Sequence, residues 1–347
     1  MRSNAMIAMV IMNLIVLISC SEILVDDQIT RSPVQNFEVF WQEFDRQYAY
    51  FEYKKIDWDS VYRTYRPQIG DEMSDAQLFD ILRRICRSLR DCHVSLQTPM
   101  GTYIYWNDRP LSSPTGNWLG LSFIREHYLV DDYNHYNLIH YGTIRDTRIV
   151  YVLIGSFAGP KSYYYVIDNI VHDYQDYDGM IIDVRENSGG STSNSDIISS
   201  RFADQKRIAY KYRYRNGPGH DDFTDWDNAT IVPGGKTVFL KPIVLLTNRD
   251  CASSTEDFIL QMRSLPHVTM LGDTTAGSSG NPLMKELPNG WIYGISNWQE
   301  VRPDMSYYET IGLAPDHQVW ISVEDSTAGR DRILEAAVEL LQSNHAN

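Results

Sequence analysis

The chain of 347 residues has few cysteines and no excess of basic residues. Its four cysteines show neither a Cys-x-x-Cys pair nor a Cys/His ligand spacing, so the sequence predicts no metal site. Lysine and arginine number 31 against 45 aspartates and glutamates, which gives a net charge of −14. Because an acidic surface repels phosphate backbones, we expect no nucleic-acid partner. Neither a Gly-x-Gly-x-x-Gly motif nor a Walker lysine is present, and we expect no cofactor.

Long hydrophobic runs are also missing, apart from one at the N-terminus. Residues 5–18 are apolar except for Asn13, and the run is too short for a comfortable membrane span. This pattern is typical of an export signal. Leu17-Ile18-Ser19-Cys20 resembles the lipobox of bacterial lipoproteins, which predicts a signal peptide over 1–20, lipidation of Cys20 and a membrane anchor on the cell envelope. A plain signal peptide or an uncleaved anchor is the alternative.

The remaining chain divides into four segments by its patterning. Residues 21–32 are polar and acidic, as expected of a tether. Residues 33–98 show helical spacing of apolar residues and a capping box at Ser74, which predicts a helical N-terminal subdomain. Short runs over 99–147 indicate strands and loops. From 148 to 347, strand-length and helical segments alternate, which predicts an α/β core with a largely parallel sheet and a closing helix. A polar stretch over 217–235 indicates a surface loop.

Ser253 lies between an apolar run over 243–246 and a segment of helical spacing. A serine at such a junction has unpaired backbone N–H groups beside it, which suits a nucleophile whose attack creates an oxyanion. Ser253-Ser254-Thr255-Glu256 also matches a capping box, and the local sequence alone favours a helix cap.

Three further motifs have a functional and a structural interpretation. The strand over 179–184 leads into a Gly189-Gly190 turn, which either approaches a ligand or simply connects strand to helix. The glycine-rich stretch 272–280 is a flexible loop that could form a mobile wall of a site. His93 lies at a helix-to-strand boundary and Glu309 precedes a further strand, and each taken alone is more often structural.

Together these segments resemble the tail-specific (C-terminal processing) peptidase family. The resemblance covers about residues 33–325 and is carried by five motifs in the family's order: Asp91-Cys92-His93, residues 183–190, residues 252–256, residues 272–277 and residues 312–316. It implies a crotonase-like ββα spiral core and a serine nucleophile, which matches Ser253. In one branch of the family a lysine is the base, but Ser278 stands at that place. The other branch, which includes the tricorn protease core, uses a histidine and a late glutamate, matched by His93 and Glu309.

This resemblance implies a role for each residue. Ser253 attacks a peptide bond of a peptide or unfolded polypeptide, His93 takes its proton, and Glu309 stabilises the imidazolium directly or through an intermediary. The oxyanion is expected on the N–H of Ser254 and on that of Gly189 or Gly190. Tricorn-like members orient the histidine with a preceding serine, where this chain has Cys92. Many members carry a PDZ domain, and we expect the segment 99–147 to stand in its place.

Two other functions fit the same residues less well. The first is a non-catalytic protein that binds peptides or apolar ligands on this fold, as the interphotoreceptor retinoid-binding protein does. The second is an esterase of α/β-hydrolase type that uses Ser253, Glu309 and His317, although the Gly-x-Ser-x-Gly elbow is missing. The sequence does not predict an oligomeric state.

Overall fold

The computed structural model describes residues 32–108 and 118–345. The export signal and Cys20 lie outside these ranges. Within them the helices are α1 (Pro33–Gln47), α2 (Phe51–Lys54), α3 (Trp58–Tyr65), α4 (Asp75–Leu89), α5 (Leu121–Tyr128), α6 (Val166–Asp173), α7 (Thr192–Ser199), α8 (Ser254–Arg263), α9 (Val323–Thr327) and α10 (Arg332–His345). No helix in the described ranges has the length and apolar character needed to cross a membrane.

Fourteen strands form three sheets in the described residues. They are β1 (Ser95–Thr98), β2 (Gly101–Ile104), β3 (Asn134–Tyr136), β4 (Ile139–Thr143), β5 (Ile149–Ile154), β6 (Gly179–Asp183), β7 (Arg207–Tyr214), β8 (Asp227–Ile231), β9 (Ile243–Thr247), β10 (Val268–Gly272), β11 (Pro282–Glu286), β12 (Ile292–Ser296), β13 (Trp298–Val301) and β14 (His317–Gln318). Three short 3₁₀ turns lie at Arg66–Gln68, Tyr105–Asp108 and Lys161–Tyr163.

The largest sheet has seven strands in the order β14-β10-β9-β6-β5-β4-β3. The strands from β14 to β5 pair in parallel, whereas β4 and β3 pair antiparallel at one edge. Every residue of β5, β6 and β9 is buried, as expected when helices cover both faces of a sheet. One face packs against α6, α7 and α8, and the other against α5 and α10. The predicted α/β class is therefore confirmed.

The N-terminal helices pack on a second sheet, of four antiparallel strands in the order β11-β12-β1-β2. The apolar stripe of α1 joins α4 and β12 in one core. The capping box at Ser74 is present as predicted, since its hydroxyl accepts from the N–H of Gln77 and the Gln77 side chain accepts from the N–H of Ser74. Ser95 in β1 pairs with Gly294 in β12. The helical N-terminal region is thus completed by strands from late in the chain.

The third sheet has the order β13-β7-β8. Strand β8 lies within the stretch 217–235, which was predicted to be a loop from its polar composition. Pairing with β7 makes this part of the stretch a strand. Strands β12 and β13 are adjacent in the chain but lie in different sheets. Helix α5 was not predicted; it is eight residues long and has a single buried residue, Ile124.

Candidate active site

Ser253 lies at the junction between β9 and α8, in a backbone conformation that favours glycine. Its φ is 56° and its ψ is −132°, and its side chain makes no capping hydrogen bond. Such a conformation costs of order 1–3 kcal/mol and persists only where the surroundings impose it. The capping interpretation of Ser253 is therefore wrong, because the strained backbone directs the hydroxyl away from the helix and towards an imidazole.

The second half of the predicted capping box, Glu256, has a different role. It is fully buried, and its carboxylate accepts from the N–H groups of Gly277 (2.9 Å) and Ser278 (2.7 Å) and from the hydroxyl of Thr275. Burial raises the pKa of Glu256 to about 7, although these donors act in the opposite direction. Glu256 thus fixes the loop over 275–278 instead of the start of α8, and the expectation that it holds the helix start is wrong.

The imidazole in contact with Ser253 belongs to His93, in the turn between α4 and β1. Its Nε2 lies 3.0 Å from the Oγ of Ser253, and its Nδ1 lies 3.1 Å from the Oγ of Ser278. In the tautomer that suits both contacts, Nδ1–H donates to Ser278 and Nε2 accepts from Ser253. The ring is therefore held between two hydroxyls. That of Ser253 lies in the loop after β9, and that of Ser278 lies in the loop after β10.

The surroundings of His93 keep its imidazole neutral. Burial lowers the pKa of His93 to about 4, the nearby Asp91 carboxylate opposes this shift, and the Lys54 ammonium adds to it. A neutral imidazole can accept a proton, whereas an imidazolium cannot. At neutral pH the ring is therefore in the form that a general base requires.

The expected carboxylate, Glu309, lies behind this arrangement and reaches it through intermediaries. Its Oε2 accepts from both the N–H and the hydroxyl of Ser279, each at 2.9 Å. Its Oε1 accepts from Lys54 Nζ at 2.8 Å, and the same ammonium donates to Asp91 Oδ2 at 3.1 Å. Asp91 Oδ1 in turn accepts from the backbone N–H of His93 at 2.9 Å. A buried chain of charged groups therefore connects Glu309 to the histidine turn.

We define the lysine cluster as Lys54, Asp91 and Glu309. The side chains of the two carboxylates are fully buried and that of Lys54 is 2% exposed. Burial raises the pKa of Asp91, but Lys54 and His93 outweigh it, so the pKa of Asp91 is lowered overall. Burial also raises the pKa of Glu309, and there the opposing effect of Lys54 is too small to cancel it. No sequence motif singles out Lys54, because a lysine next to Lys55 in a short helix looks like a solvated charge.

Two of the expected site residues are placed differently from their prediction. The hydroxyl at Nδ1 belongs to Ser278, whereas Cys92, expected to orient the ring, lines the neighbouring cavity. His317, required by the esterase alternative, is exposed on β14. Because the imidazole at Ser253 is that of His93, the α/β-hydrolase assignment has the wrong histidine.

The Gly189-Gly190 turn packs directly against the serine. A Cβ on Gly189, whose φ is 107°, would lie 2.8 Å from the carbonyl oxygen of Ala252 and 2.9 Å from the Cβ of Ser253. Only glycine permits this approach. The N–H of Gly189 donates to Asn187 Oδ1 at 3.0 Å, so this amide is already used within the turn. Gly190, rather than Gly189, lines the cavity beside the serine.

The Ser253–His93 contact opens on a cavity of about 520 Å³. Its described lining consists of Cys92, His93, Ile104, Trp106, Ser188, Gly190, Thr192, Ala252, Ser253, Asp257, Ser278, Ser279, Gly280, Asn281, Pro282 and Trp298. A serine hydroxyl paired with a neutral imidazole, beside backbone N–H groups and a cavity, is the arrangement of a serine hydrolase.

Comparison with known proteins narrows this class to a family. The sequence profile of peptidase family S41 matches residues 148–319, and that of the tricorn protease C1 domain matches residues 30–86. A solved structure from Parabacteroides merdae, provisionally assigned as a peptidase, is 36% identical over 90% of this chain and 97% of its own, with a TM-score of 0.80. The chain therefore belongs to peptidase family S41, the tail-specific peptidases.

More distant relatives agree with this assignment. The carboxyl-terminal-processing protease of Synechocystis is 24% identical over 55% of this chain, and the match spans 43% of that protein's length. The chain thus spans less than half of this curated relative. The structure of mature CPAF in complex with lactacystin is 10% identical, covers 90% of this chain and 98% of its own, and has a TM-score of 0.68, which shows a shared fold.

Proposed function

We propose that this protein is a serine-type endopeptidase that hydrolyses peptide bonds in peptides or unfolded polypeptides. The observation that carries the proposal is the 3.0 Å contact between Ser253 Oγ and His93 Nε2 at the edge of a cavity. The strained backbone of Ser253 supports it, because strain of this kind is retained where function requires a special side-chain direction.

In the proposed reaction Ser253 is the nucleophile and His93 the general base. As Ser253 Oγ bonds to the substrate carbonyl carbon, its proton passes to His93 Nε2 and the carbonyl oxygen becomes an oxyanion. The imidazolium then protonates the leaving amine as the C–N bond breaks, which leaves an acyl-enzyme. Water, deprotonated by the same imidazole, hydrolyses the acyl-enzyme and restores Ser253.

The proposed oxyanion donors are the backbone N–H groups of Ser254 and Gly190. Ser254 is the first residue of α8, where N–H groups have no partner within the helix and the helix dipole favours negative charge. Gly190 lines the cavity, whereas the Gly189 amide is engaged by Asn187. Loss of one such donor typically lowers the rate by about 100- to 1000-fold.

Support for the imidazolium comes, in this proposal, from Ser278 and the lysine cluster. Ser278 Oγ accepts from Nδ1–H and fixes the tautomer. Lys54 holds Asp91 and Glu309 together, and these carboxylates fix the turn of His93 and the loop at Ser279. Lys54 and Glu309 are therefore positioning residues, since they act through other groups and do not touch the reacting atoms.

Labelling with a fluorophosphonate tests the mechanism without knowledge of the substrate. We expect the protein to be labelled, Ser253→Ala to abolish labelling because it removes the nucleophilic hydroxyl, and His93→Ala to reduce labelling severely because it removes the base that activates this hydroxyl. Ser326→Ala and His317→Ala, at exposed positions away from the cavity, are the matched controls and should label normally. Absence of labelling in the unsubstituted protein, with the fold intact, would instead favour a non-catalytic binding protein.

We also propose that the protein is exported and anchored on the cell envelope through lipidated Cys20. The lipobox-like Leu17-Ile18-Ser19-Cys20 after an apolar run supports this location. Metabolic labelling with an alkynyl fatty acid should tag the full chain, and Cys20→Ala should remove the tag and release the protein from membranes. An untagged, soluble full chain would contradict the proposal.

A further inference from the structure

The cavity beside Ser253 has apolar walls and a single carboxyl group among its described lining residues. Ile104, Trp106, Pro282 and Trp298 supply apolar surface. The carboxyl belongs to Asp257, which is 5% exposed and lies in the first turn of α8. Its N–H donates to the carbonyl oxygen of Ser253 at 3.2 Å, so the backbone of Asp257 lies one helical turn after the nucleophile, a rise of roughly 6 Å along the axis.

Asp257 is backed by a second carboxyl group, Glu300 of β13, and we define the two as the carboxyl pair. Thr192 Oγ1 donates to Asp257 Oδ2 at 2.6 Å, and Tyr308 donates to Glu300 Oε1 at 2.5 Å. Glu300 is fully buried, and its Oε2 accepts no hydrogen bond in the described part of the chain. The interaction between the two carboxyls raises the pKa of Glu300 and lowers that of Asp257, so a proton shared by the pair lies on Glu300 and faces Asp257.

Within the described residues no lysine, arginine or histidine forms an ion pair with either carboxyl of the pair. Among the groups with the largest effects on their pKa values, the charged ones are further carboxylates, Asp196 of α7 and Glu256 of α8, whereas Tyr308 acts as a neutral hydrogen-bond donor. Burial raises the pKa of Asp257 to about 7 and that of Glu300 well above its usual range. Buried carboxylates are normally paired with a cation, because desolvation of an unpaired charge is costly. A cation that entered the cavity would supply the missing partner.

We propose that Asp257, supported by Glu300, is the specificity residue that binds the cationic side chain of a lysine or arginine next to the scissile bond. This inference rests on the proposed peptidase function. The aliphatic stem of such a side chain suits the apolar walls, and its charged head would reach Asp257. A charge-assisted hydrogen bond in a desolvated pocket is stronger than one between neutral groups. The net charge of −14 attracts basic polypeptides over longer range.

The inference is tested with fluorogenic peptides that differ at one position. Each peptide is acetylated at its N-terminus, so that the scanned side chain is the only cation. Lysine is compared with its uncharged counterpart norleucine at each position around the scissile bond. We expect lysine at one position to raise kcat/KM by on the order of 10-fold or more over norleucine. In Asp257→Asn, which keeps the side-chain shape, this ratio should fall towards one.

Glu300→Gln is the matched second variant, since it removes a carboxyl that does not line the cavity. The ratio of kcat/KM for lysine to that for norleucine should fall less in Glu300→Gln than in Asp257→Asn. Equal kcat/KM for both peptides at every position, or an unchanged ratio in Asp257→Asn, would overturn the specificity assignment while leaving the peptidase intact. Failure of every peptide and of fluorophosphonate labelling would overturn both proposals, so the two failures are distinguishable.

Discussion

The lysine cluster and the carboxyl pair both contain buried carboxyl groups, but they offset the cost of burying these groups in opposite ways. Each places two buried carboxyl groups close to the Ser253–His93 contact. In the lysine cluster an ammonium lies between the carboxylates, and the pKa of Asp91 is lowered. In the carboxyl pair no described cation intervenes, and burial raises the pKa of Asp257 to about 7. The lysine cluster contains its own cation and fixes the turn of His93 and the loop at Ser279, whereas the carboxyl pair takes its cation from a ligand.

The largest expected effect comes from Lys54→Met, which makes the lysine cluster resemble the carboxyl pair. Methionine nearly preserves volume but leaves two buried carboxylates without a cation, which we expect to cost about 3–5 kcal/mol of unfolding free energy. Peptidase activity should fall as well, because the turn of His93 and the loop at Ser279 lose their common anchor. Urea denaturation at pH 7 and kcat on a fluorogenic peptide measure the two effects.

Lys55→Met is the control for this substitution, since the neighbouring lysine is exposed. It should change neither stability nor activity appreciably. If Lys54→Met unfolds at the same urea concentration as the unsubstituted protein and retains its kcat, the lysine cluster is not the positioning device described above.

Asp91 of the lysine cluster and Asp257 of the carboxyl pair should also differ in the sign of their pH dependence. The pKa of Asp257 is raised on folding, so the folded state holds a proton that the unfolded state has lost. This carboxyl should therefore reduce stability as pH rises from about 4 to about 7, by up to about 1.4 kcal/mol per pH unit. The pKa of Asp91 is lowered, so its contribution is present above its unfolded pKa and is lost as pH falls through the folded value.

Asp257→Asn should consequently flatten the decline in stability between pH 4 and pH 7, because the asparagine amide does not titrate. Chemical denaturation at several pH values measures the slope for both proteins. A slope that is identical in the two proteins would show that Asp257 is ionised in the folded state at acid pH, contrary to the interpretation of the carboxyl pair.

His93 lies between these regions, and its titration should appear in the activity. Since the neutral imidazole is the active form and burial lowers its pKa to about 4, kcat/KM on a peptide without a cationic side chain should rise with pH through about 4 and be constant above pH 6. If the pKa of His93 had its ordinary value, near 6.5, kcat/KM would still rise above pH 6. A pH–rate profile limited to the range in which the protein is folded distinguishes the two outcomes.

The smallest expected effect is a loss of kcat that shows whether Ser278 or Cys92 orients the imidazole. Ser278→Ala removes the acceptor at Nδ1, and we expect kcat to fall by on the order of 10-fold with little change in KM. Cys92→Ala removes a side chain that lines the cavity, and we expect a smaller loss of kcat. The reverse order would return the orienting role to Cys92, as the family resemblance implied.

Much of the fold was predictable because its signals are strong and local. The buried strands β5, β6 and β9 are unbroken apolar runs, and the stripe of α1 is a clear helical pattern. The polar β8 pairs with β7, which its own composition does not indicate, and α5 is a short helix inside an irregular segment, so both were missed. Ser253, His93 and Glu309 were recognised only through the order of motifs, since 160 residues separate the serine from the histidine.

The remaining site residues could not be found from sequence because their roles arise from tertiary contacts. Ser253 and Glu256 match a local capping pattern, yet both side chains are engaged by distant residues instead. Asp257 looks ordinary, since acidic residues are favoured in the first turn of any helix. Lys54 carries no motif, and Ser278 was noted only as the residue at the place of a lysine base, so only the packed structure places them beside the carboxylates and the imidazole.

The pairing of β1 with β12 bears on when the protein becomes active. Asp91, which holds the turn of His93, accepts a hydrogen bond from the hydroxyl of Ser296, 205 residues further along the chain. Contacts of such long sequence separation form late, because a large loop must close first. A chain emerging from the ribosome therefore lacks this support for the turn of His93 until Ser296, 43 residues after Ser253, has been synthesised.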